Sequence, residues 1–376
     1  MAIHEDLFNF LEKNSDAVFL SNKNPGSKNA LIFVHTFTFG GSQHALCSLL
    51  SRLKTSGYDL WIISPLDGPF REIYMSDFNA NCIIHTFLMD DNYKSVLREN
   101  FDLIVLNSIC TNYYAYPFIN TDIPVLVWIH ESTNFLKENT GNIVHPAFVS
   151  NNFHYLSAWP DAADGFSSLF KKKADVLPIE IKDSYDDFPD RDSDNKCTFL
   201  LPGTYIEQKG FHFALQAIKK LPKTFLDRSD FIFLGHVGNE TYYNYLKTEA
   251  SNLQNVTFLE EIPFSEMKRY YQNCDCIIAP SYYDAGPQTV IEAMMMKKLC
   301  IVSSLCGASS YITDCENGFI YPGDNLEELL KRILLVIADK DSLSKIAQAG
   351  RNTYEKYFSK EAVDEKFHQL WLEYDI

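Results

Sequence analysis

Short apolar runs alternate with amphipathic helical stretches along this chain, break off at one charged segment, and then begin again. In the first half "ALIFVHT", "DLWIIS", "FDLIVLNS", "IPVLVWIHE" and "PAFVSN" are of strand length and rich in Val, Ile, Leu and aromatics, as buried strands are. Between the first two, "SQHALCSLLSRLKTSGY" sets Ala45, Leu46, Leu49, Leu50 and Leu53 at helical spacing and stops at Gly57. From Ile181 to Lys196, "IKDSYDDFPDRDSDNK" loses almost every aliphatic. The alternation then restarts with strands "CTFLLPG", "FIFLGH", "VTFLE", "CIIAPS", "LCIVSS" and "GFIYPG" and with helices such as "GFHFALQAIKKL" and "FSEMKRYYQNC". Strand-helix-strand order predicts parallel sheets covered by helices on both faces. A chain of 376 residues also exceeds what one core usually supports. We therefore expect an α/β chain of two doubly wound, Rossmann-like domains that face each other across a crevice, the natural ligand site. The N-terminal domain spans 1–185, with 1–29 an added helix and loop; the linker is 186–196, and the C-terminal domain spans 197–360.

Composition narrows the function classes. The chain is 46% hydrophobic and 22% charged, which supplies ample core and argues against disorder. A net charge of −16 spread along the chain is unsuited to a nucleic-acid backbone, so no nucleic acid is expected as a partner. The triplet Lys171-Lys172-Lys173 reads as a solvated turn. Nine cysteines include no C-x-x-C pair, and several lie in apolar runs, as Cys276 does. Free thiols fit a reducing, cytoplasmic setting. The start "MAIHEDLFNF" is acidic where a signal peptide is basic, and no apolar run approaches the roughly 20 residues of a spanning helix. Peripheral contact with a membrane stays open.

Three stretches carry chemistry. In "FTFGGSQHALCSLL", Gly40 and Gly41 turn the chain and Ser42 is placed to cap the next helix, a setting that suits a phosphate or serves as a plain tight connection. In "PGTYIEQKGFHF", Lys209 stands at the carboxyl end of a strand just before a helix, as a phosphate ligand or a solvated lysine would. In "SYYDAGPQTVIEAMMMKKLC", Pro287 suits the first helical position with Gly286 at the cap, so that the amides of Gln288, Thr289 and Val290 face outward toward an anion. Asp284 and Glu292 flank that helix start. Two carboxylates beside a phosphate suit the hydroxyls on either side of it, as in a nucleotide-sugar; alternatively both are ordinary surface acids. Met294 to Met296 read as core filling. The triplet Asp190, Asp192 and Asp194 in the linker does not make a calcium loop, because Asn195 and Leu201 occupy the positions that need Gly and an acid.

These motifs, in this order, resemble the retaining glycosyltransferases of family 4, the "glycosyl transferases group 1" domain, which have the GT-B fold. "PGTYIEQKG" looks like their G-R-x-x-x-x-K-G segment, "NCDCIIAPSYYDAGPQTVIEAM" like their strand and E-x7-E, and "CENGFIYPGDNLEEL" like the following Asn-Gly and Pro-Gly-Asp run. The likeness covers about residues 197 to 360 well. The first domain matches more loosely through "GGSQHALCSLLSRLKTSGYDLWIIS" and "VLVWIHE". The resemblance implies that Glu292 holds the ribose hydroxyls, that Asp284 faces the donor sugar, and that the backbone at Gly286, Pro287, Gln288 and Thr289 holds sugar hydroxyls and phosphate. It implies further that Lys209 neutralises the leaving diphosphate, that His130 stands beside the donor sugar, and that Gly40 and Gly41 approach the diphosphate and acceptor. Without the family, a strand-end histidine is more often a structural hydrogen-bonder. No cofactor and no divalent ion are implied; the partners are a nucleotide-sugar donor and a glycan, lipid-linked or protein acceptor. Residues 361–376, in "KEAVDEKFHQLWLEY", are similar to the helix that crosses back onto the first domain in this fold.

The sequence departs from the pattern in three places. Thr204 stands where the family has the arginine that partners the lysine, with Arg269 as a candidate replacement; Asp284 replaces a glutamate; and Gly-Phe-Gly has become Ala-Gly-Pro. These departures sustain a second reading, a catalytically silent GT-B subunit that binds a glycan or a partner glycosyltransferase. A sugar-nucleotide epimerase or a phosphorylase on the same fold is a third. Fold analogy puts the base near Glu261 to Pro263 and the acceptor near Asn107 to Tyr116.

Overall fold

A computed structural model of the chain describes residues 2–21, 28–38, 40–85, 91–143, 150–185, 196–340 and 342–376. It divides into two compact units, Met1–Glu180 with Asp364–Ile376, and Ile181–Val363. The linker expected at 186–196, with its aspartate triplet, lies outside the described residues except for Lys196.

The first unit is built on eight strands: β1 (Ala17–Phe19), β2 (Lys28–Phe33), β3 (Tyr58–Ser64), β4 (Asn81–Ile84), β5 (Leu103–Leu106), β6 (Val125–Ile129), β7 (Phe153–Ser157) and β8 (Ala174–Val176). Their order is β1-β4-β3-β2-β5-β6-β7-β8. All neighbours are parallel except β1, which pairs antiparallel with β4. Its central strands β2, β3, β5 and β6 are buried on both faces over most of their length, which is why they read as unbroken apolar runs rather than alternating ones. Leu31, Phe33, Ile63, Leu106 and Val127 pack with Leu7 and Leu11 of the helix Ala2–Asn14 and with Tyr93 and Leu97 of the helix Asp91–Asn100.

Four strands escape the sequence reading. The first 29 residues hold a strand, β1, as well as a helix; β1 and β8 have three residues and β4 has four. "PAFVSN" lies largely outside the described residues; the strand in that region is β7, "FHYLS", whose His154 stacks at 4.2 Å on Tyr374.

The second unit carries β9 (Cys197–Pro202), β10 (Ser229–Leu234), β11 (Val256–Leu259), β12 (Cys276–Ala279), β13 (Leu299–Ser303) and β14 (Phe319–Tyr321), all parallel, in the order β11-β10-β9-β12-β13-β14. Phe199, Leu201, Phe231, Phe233, Ile278 and Ile301 form its core with helix residues such as Leu215, Ile218, Ile333 and Val336. In both sheets the strand order reverses beside the first parallel strand. It does so between β2 and β5 in one unit and between β9 and β12 in the other.

Charged contacts fix where the units begin and end. Ile181 and Asp183 belong to the second unit, five residues ahead of the boundary drawn at 185. The Tyr354 hydroxyl donates to the Ile181 carbonyl at 2.8 Å, and Arg351 reaches Asp183 and the Met295 carbonyl, the latter at 2.8 Å. The helix Lys360–Tyr374 seats its last residues on the first unit through the Tyr374 hydroxyl on Asp175, at 2.7 Å. Arg52, only 6% exposed, ties Glu180 and Asp364 to that unit at 2.8 Å each.

Asp364 is 42% exposed, so water screens its share, whereas Glu180 at 23% is held more firmly. Replacing Arg52 by Met is expected to cost about 2 kcal/mol of stability, mostly by leaving Glu180 without its cation. Urea unfolding checks this, and Glu180→Gln added to the variant is expected to restore part of the loss.

Candidate functional site

The candidate site of the second unit is assembled where its strand order reverses. Beyond β9 the chain passes Gly203, forms a 3-10 turn over Glu207–Lys209, and enters the helix Phe211–Lys219 through Gly210. Beyond β12 it runs through Ser281 to Asp284. The two loops touch closely: the Tyr282 amide donates to the Gln208 carbonyl at 2.9 Å, and a Cβ at Gly210 would stand 2.0 Å from the Pro280 carbonyl oxygen. Gly210 also has φ +68, a left-handed backbone that favours glycine. The Lys-Gly pair therefore has a steric reason. From the other side the Gly307 amide donates to the Asp284 carbonyl at 2.8 Å, and a Cβ at Gly307 would meet the Ala285 carbonyl oxygen at 1.5 Å.

Held in this way, the Asp284 carboxylate lies 2.5 Å from the Lys209 ammonium, with side chains 15% and 26% exposed. Burial, the largest single influence, pulls Lys209 down, but the charge of Asp284 and its hydrogen bond, with a smaller push from Cys306, together outweigh it and hold the ammonium above the usual lysine range. The other carboxylate oxygen accepts the Gly286 amide at 3.2 Å, and the Ser281 hydroxyl donates to the first at 3.4 Å.

The helix that follows begins one residue later than the sequence indicates. Pro287 is its cap and Gln288 its first residue, because Pro287 combines φ −68 with ψ 123, an extended value. Proline fixes φ alone, so both placements satisfy it. The Pro287 side chain makes no cap bond; Val290 donates back to the Pro287 carbonyl at 3.2 Å, and the Gly286 amide is already committed to Asp284. Of the amides expected to face an anion, those of Gln288 and Thr289 keep the required position at the helix start.

Glu292 accepts the hydroxyl of fully buried Tyr271 at 2.5 Å on one oxygen. Burial raises its pKa, with the Tyr271 bond and the charge of Lys268 opposing. Lys268, not the exposed neighbour Arg269, is the cation that acts on Glu292. Thr204 uses its carbonyl to accept the Ile206 amide at 2.8 Å, and its methyl lies 2.7 Å from where a Gly238 Cβ would stand. Glu261 pairs with His236 at 3.0 Å, both exposed, beyond β11 and β10.

The first unit brings a second group of polar residues to its own reversal point. Gly40, not Ser42, caps the helix Gly41–Thr55; the Ser42 hydroxyl instead donates to Gln43 at 3.0 Å. Gly40 is extended, at φ −177, and a Cβ there would come within 2.5 Å of the oxygen at the end of the Gln43 side chain. Around Gly41 a Cβ would meet nothing. Asn107, fully buried beyond β5, donates its amide NH2 to the Ser42 carbonyl at 3.2 Å, which turns its oxygen toward His130 Nε2 at 2.9 Å. His130 therefore carries its proton on Nε2 and presents a lone pair on Nδ1. Burial first, then the nearby His35, lowers its pKa to about 3.

Glu131 is a residue the sequence reading missed. Its carboxylate accepts the Ser108 hydroxyl, the His130 amide at 3.0 Å and the Ile109 amide at 3.2 Å, and so holds Ser108 at φ 142. Nothing in its spacing marks it beyond its place next to His130. In the acceptor region expected near Asn107 to Tyr116, Tyr113 and Tyr116 are 44% and 55% exposed. Among the described residues no group of three or more His, Cys, Asp and Glu could hold a metal ion, and no helix is long and apolar enough to cross a membrane.

Residues 185–353 match the family model described as "Glycosyl transferases group 1". The chain is 25% identical over 344 residues to an uncharacterized glycosyltransferase of Haemophilus influenzae, covering 87% of this chain and 95% of that one. It is 27% identical to an N,N'-diacetylbacillosaminyl-diphospho-undecaprenol α-1,3-N-acetylgalactosaminyltransferase of Campylobacter jejuni over 114 residues, 30% of this chain and 29% of that one. The crystal structure of Anabaena Alr3699/HepE in complex with UDP-glucose superposes with a TM-score of 0.76 at 16% identity, over 92% of this chain and 99% of that one. The fold is GT-B, the glycosyltransferase arrangement of two parallel-sheet α/β domains.

Two measurements probe this geometry. Gly210→Ala forces a Cβ into both a left-handed backbone and the Pro280 carbonyl, and is expected to cost more than about 2 kcal/mol in urea unfolding. For His130, the folded value near 3 lies below the ordinary 6.5. As pH falls from 6.5 toward 3 the unfolded chain takes up a proton that the folded chain refuses, so stability drops by up to about 1.4 kcal/mol per pH unit. Above pH 6.5 the contribution vanishes. His130→Leu is expected to flatten that part of the stability profile between pH 6.5 and 4.5.

Proposed function

We propose that this chain, which carries a glycosyl transferases group 1 domain over residues 185–353 on a GT-B fold, is a retaining glycosyltransferase of family 4. It moves a hexose or related sugar from a nucleotide-diphospho-sugar to a glycan, lipid-linked or protein acceptor without a metal ion. One observation carries the reading. At the reversal point of the second sheet a lysine ammonium is held 2.5 Å from a carboxylate, just ahead of a helix start that leads to a second carboxylate, Glu292. Such an array matches a donor whose diphosphate is flanked by two sugars.

In this reading Lys209 and the amides of Gln288 and Thr289 stabilise the negative charge that develops on the leaving diphosphate. The Tyr271 hydroxyl occupies one oxygen of Glu292, and the other accepts a ribose hydroxyl. Asp284 accepts a hydroxyl of the donor sugar. His130, neutral and fixed by Asn107, offers Nδ1 to another; Gly40 and Gly41 belong with the diphosphate and acceptor. The acceptor attacks from the face the diphosphate leaves, so the anomeric configuration is retained and catalysis rests on positioning and charge. UDP-glucose bound in the Anabaena protein and the undecaprenol-linked sugar in the name of the Campylobacter relative support a nucleotide-sugar and a glycan or lipid-linked acceptor. None of the nine cysteines is in a disulfide, which supports a cytoplasmic setting.

The loss of the family arginine at Thr204 favours one competing reading, a silent subunit that binds a glycan or a partner glycosyltransferase. A thermal-shift screen with UDP-, GDP-, ADP- and dTDP-sugars separates the two. A donor at 100 times its Kd adds about 2.7 kcal/mol of stability, whereas no shift with any of them supports the silent subunit. With the active donor in hand, Glu292→Ala is expected to abolish donor binding and Asp284→Ala to reduce turnover more than affinity. Lys209→Met is expected to lower kcat by roughly 100- to 1,000-fold. Unchanged transfer in all three would remove these residues from the site.

A further inference from the structure

We infer that Asp284 competes with the nucleotide's diphosphate for the ammonium of Lys209, and so serves to expel the spent nucleoside diphosphate after transfer. The inference rests on the donor site proposed above and goes beyond it, since it gives Asp284 a task after the sugar has gone.

The charge count at the site is the starting point. Position 204 holds a threonine, so the loop beyond β9 offers one side-chain cation, Lys209, and among the described residues Asp284 is the acid paired with it. Asp284 and a diphosphate both need that ammonium. The carboxylate can release it without being stranded, because the Gly286 amide on one oxygen, at 3.2 Å, and the Ser281 hydroxyl on the other, at 3.4 Å, remain. Gly203 lies beside the lysine stem and puts no side chain against it; a Cβ there would stand in ordinary contact, 3.6 Å from Lys209 Cδ. The aspartate itself stays in place, its backbone fixed by Gly307.

A nucleotide-sugar satisfies both partners at once: its diphosphate takes the ammonium and its sugar hydroxyl donates to Asp284. Once the sugar has left, the carboxylate has no hydroxyl to accept and recaptures Lys209, and the diphosphate loses its cation. The site is thereby biased toward substrate over product by a single shared charge.

Calorimetric titration of the full chain with UDP, GDP, ADP and dTDP, one by one, tests this. The nucleotide that binds the wild type is then titrated into Asp284→Asn, Lys209→Met and the double variant. Asp284→Asn is expected to bind it about tenfold tighter, since the competitor for the ammonium is gone. Lys209→Met is expected to bind it more weakly, and Asp284→Asn added to Lys209→Met is expected to change nothing further. Equal or weaker binding by Asp284→Asn overturns the inference and leaves the donor site standing. The same gain with or without Lys209 also overturns it, because the carboxylate would then act by simple repulsion. No binding of any of the four to the wild type overturns both the inference and the donor site. Asp284→Ser, judged by the same outcomes, stands in if the asparagine variant unfolds early.

Discussion

A parallel sheet covered by helices on both faces has no polar surface left except at the ends of its strands, and both units of this protein obey that constraint. Loops that leave neighbouring strands usually turn the same way and close over the strand end. Where the strand order reverses they part and leave a recess for polar side chains. Between β9 and β12 the recess holds Lys209 and Asp284. Between β2 and β5 it holds Asn107, whose amide spans from the Ser42 carbonyl to His130. Two unrelated sets of side chains thus occupy the same topological position, for the same reason.

Precision at those positions comes from backbone crowding. Gly210 and Gly307 let the loop that carries Asp284 lie against neighbouring loops on both sides, closer than any side chain would allow. The first unit uses a carboxylate for the same purpose: Glu131 gathers one hydroxyl and two amides and holds the turn at Ser108 in an unusual conformation. A buried polar cluster of this kind is costly unless every member is paired, and its pairing makes the loop rigid.

This division of labour explains what could be read from the sequence. Strands β2, β3, β5, β6, β9, β10 and β12 to β14 are apolar runs because they are largely covered on both faces, and periodicity finds such runs; the edge strand β11 is apolar at three of four positions though Thr257 is exposed. β1, β4 and β8 have three or four residues each, and β7 mixes polar with apolar residues because His154 is covered by Tyr374 from a helix near the end of the chain. No local pattern predicts that cover. At the site, residue types were legible and contacts were not: Lys209 and Asp284 are 75 residues apart, and the order of surrounding motifs hinted at their meeting where spacing could not. The caps shifted by a residue or two for a local reason. Pro287 fixes φ but leaves ψ free, and Ser42 found a partner in Gln43 instead of the helix end.

The overall charge adds a last constraint on how such a site works. A protein of net charge −16 repels an anionic nucleotide at long range, and its candidate donor site pairs the one side-chain cation of its lysine loop with a carboxylate. Attraction by an excess of positive charge is therefore not available as a source of affinity. What remains in the second unit is directional: amides at a helix start and a carboxylate, Glu292, one oxygen of which accepts the Tyr271 hydroxyl. Groups of this kind discriminate by geometry, because each is satisfied by a hydroxyl or phosphate oxygen at one place and is left unmade otherwise. On the proposed donor reading, a threonine at position 204 where the resembling family has an arginine moves the balance further in that direction, away from holding any diphosphate and toward holding one that still carries its sugar.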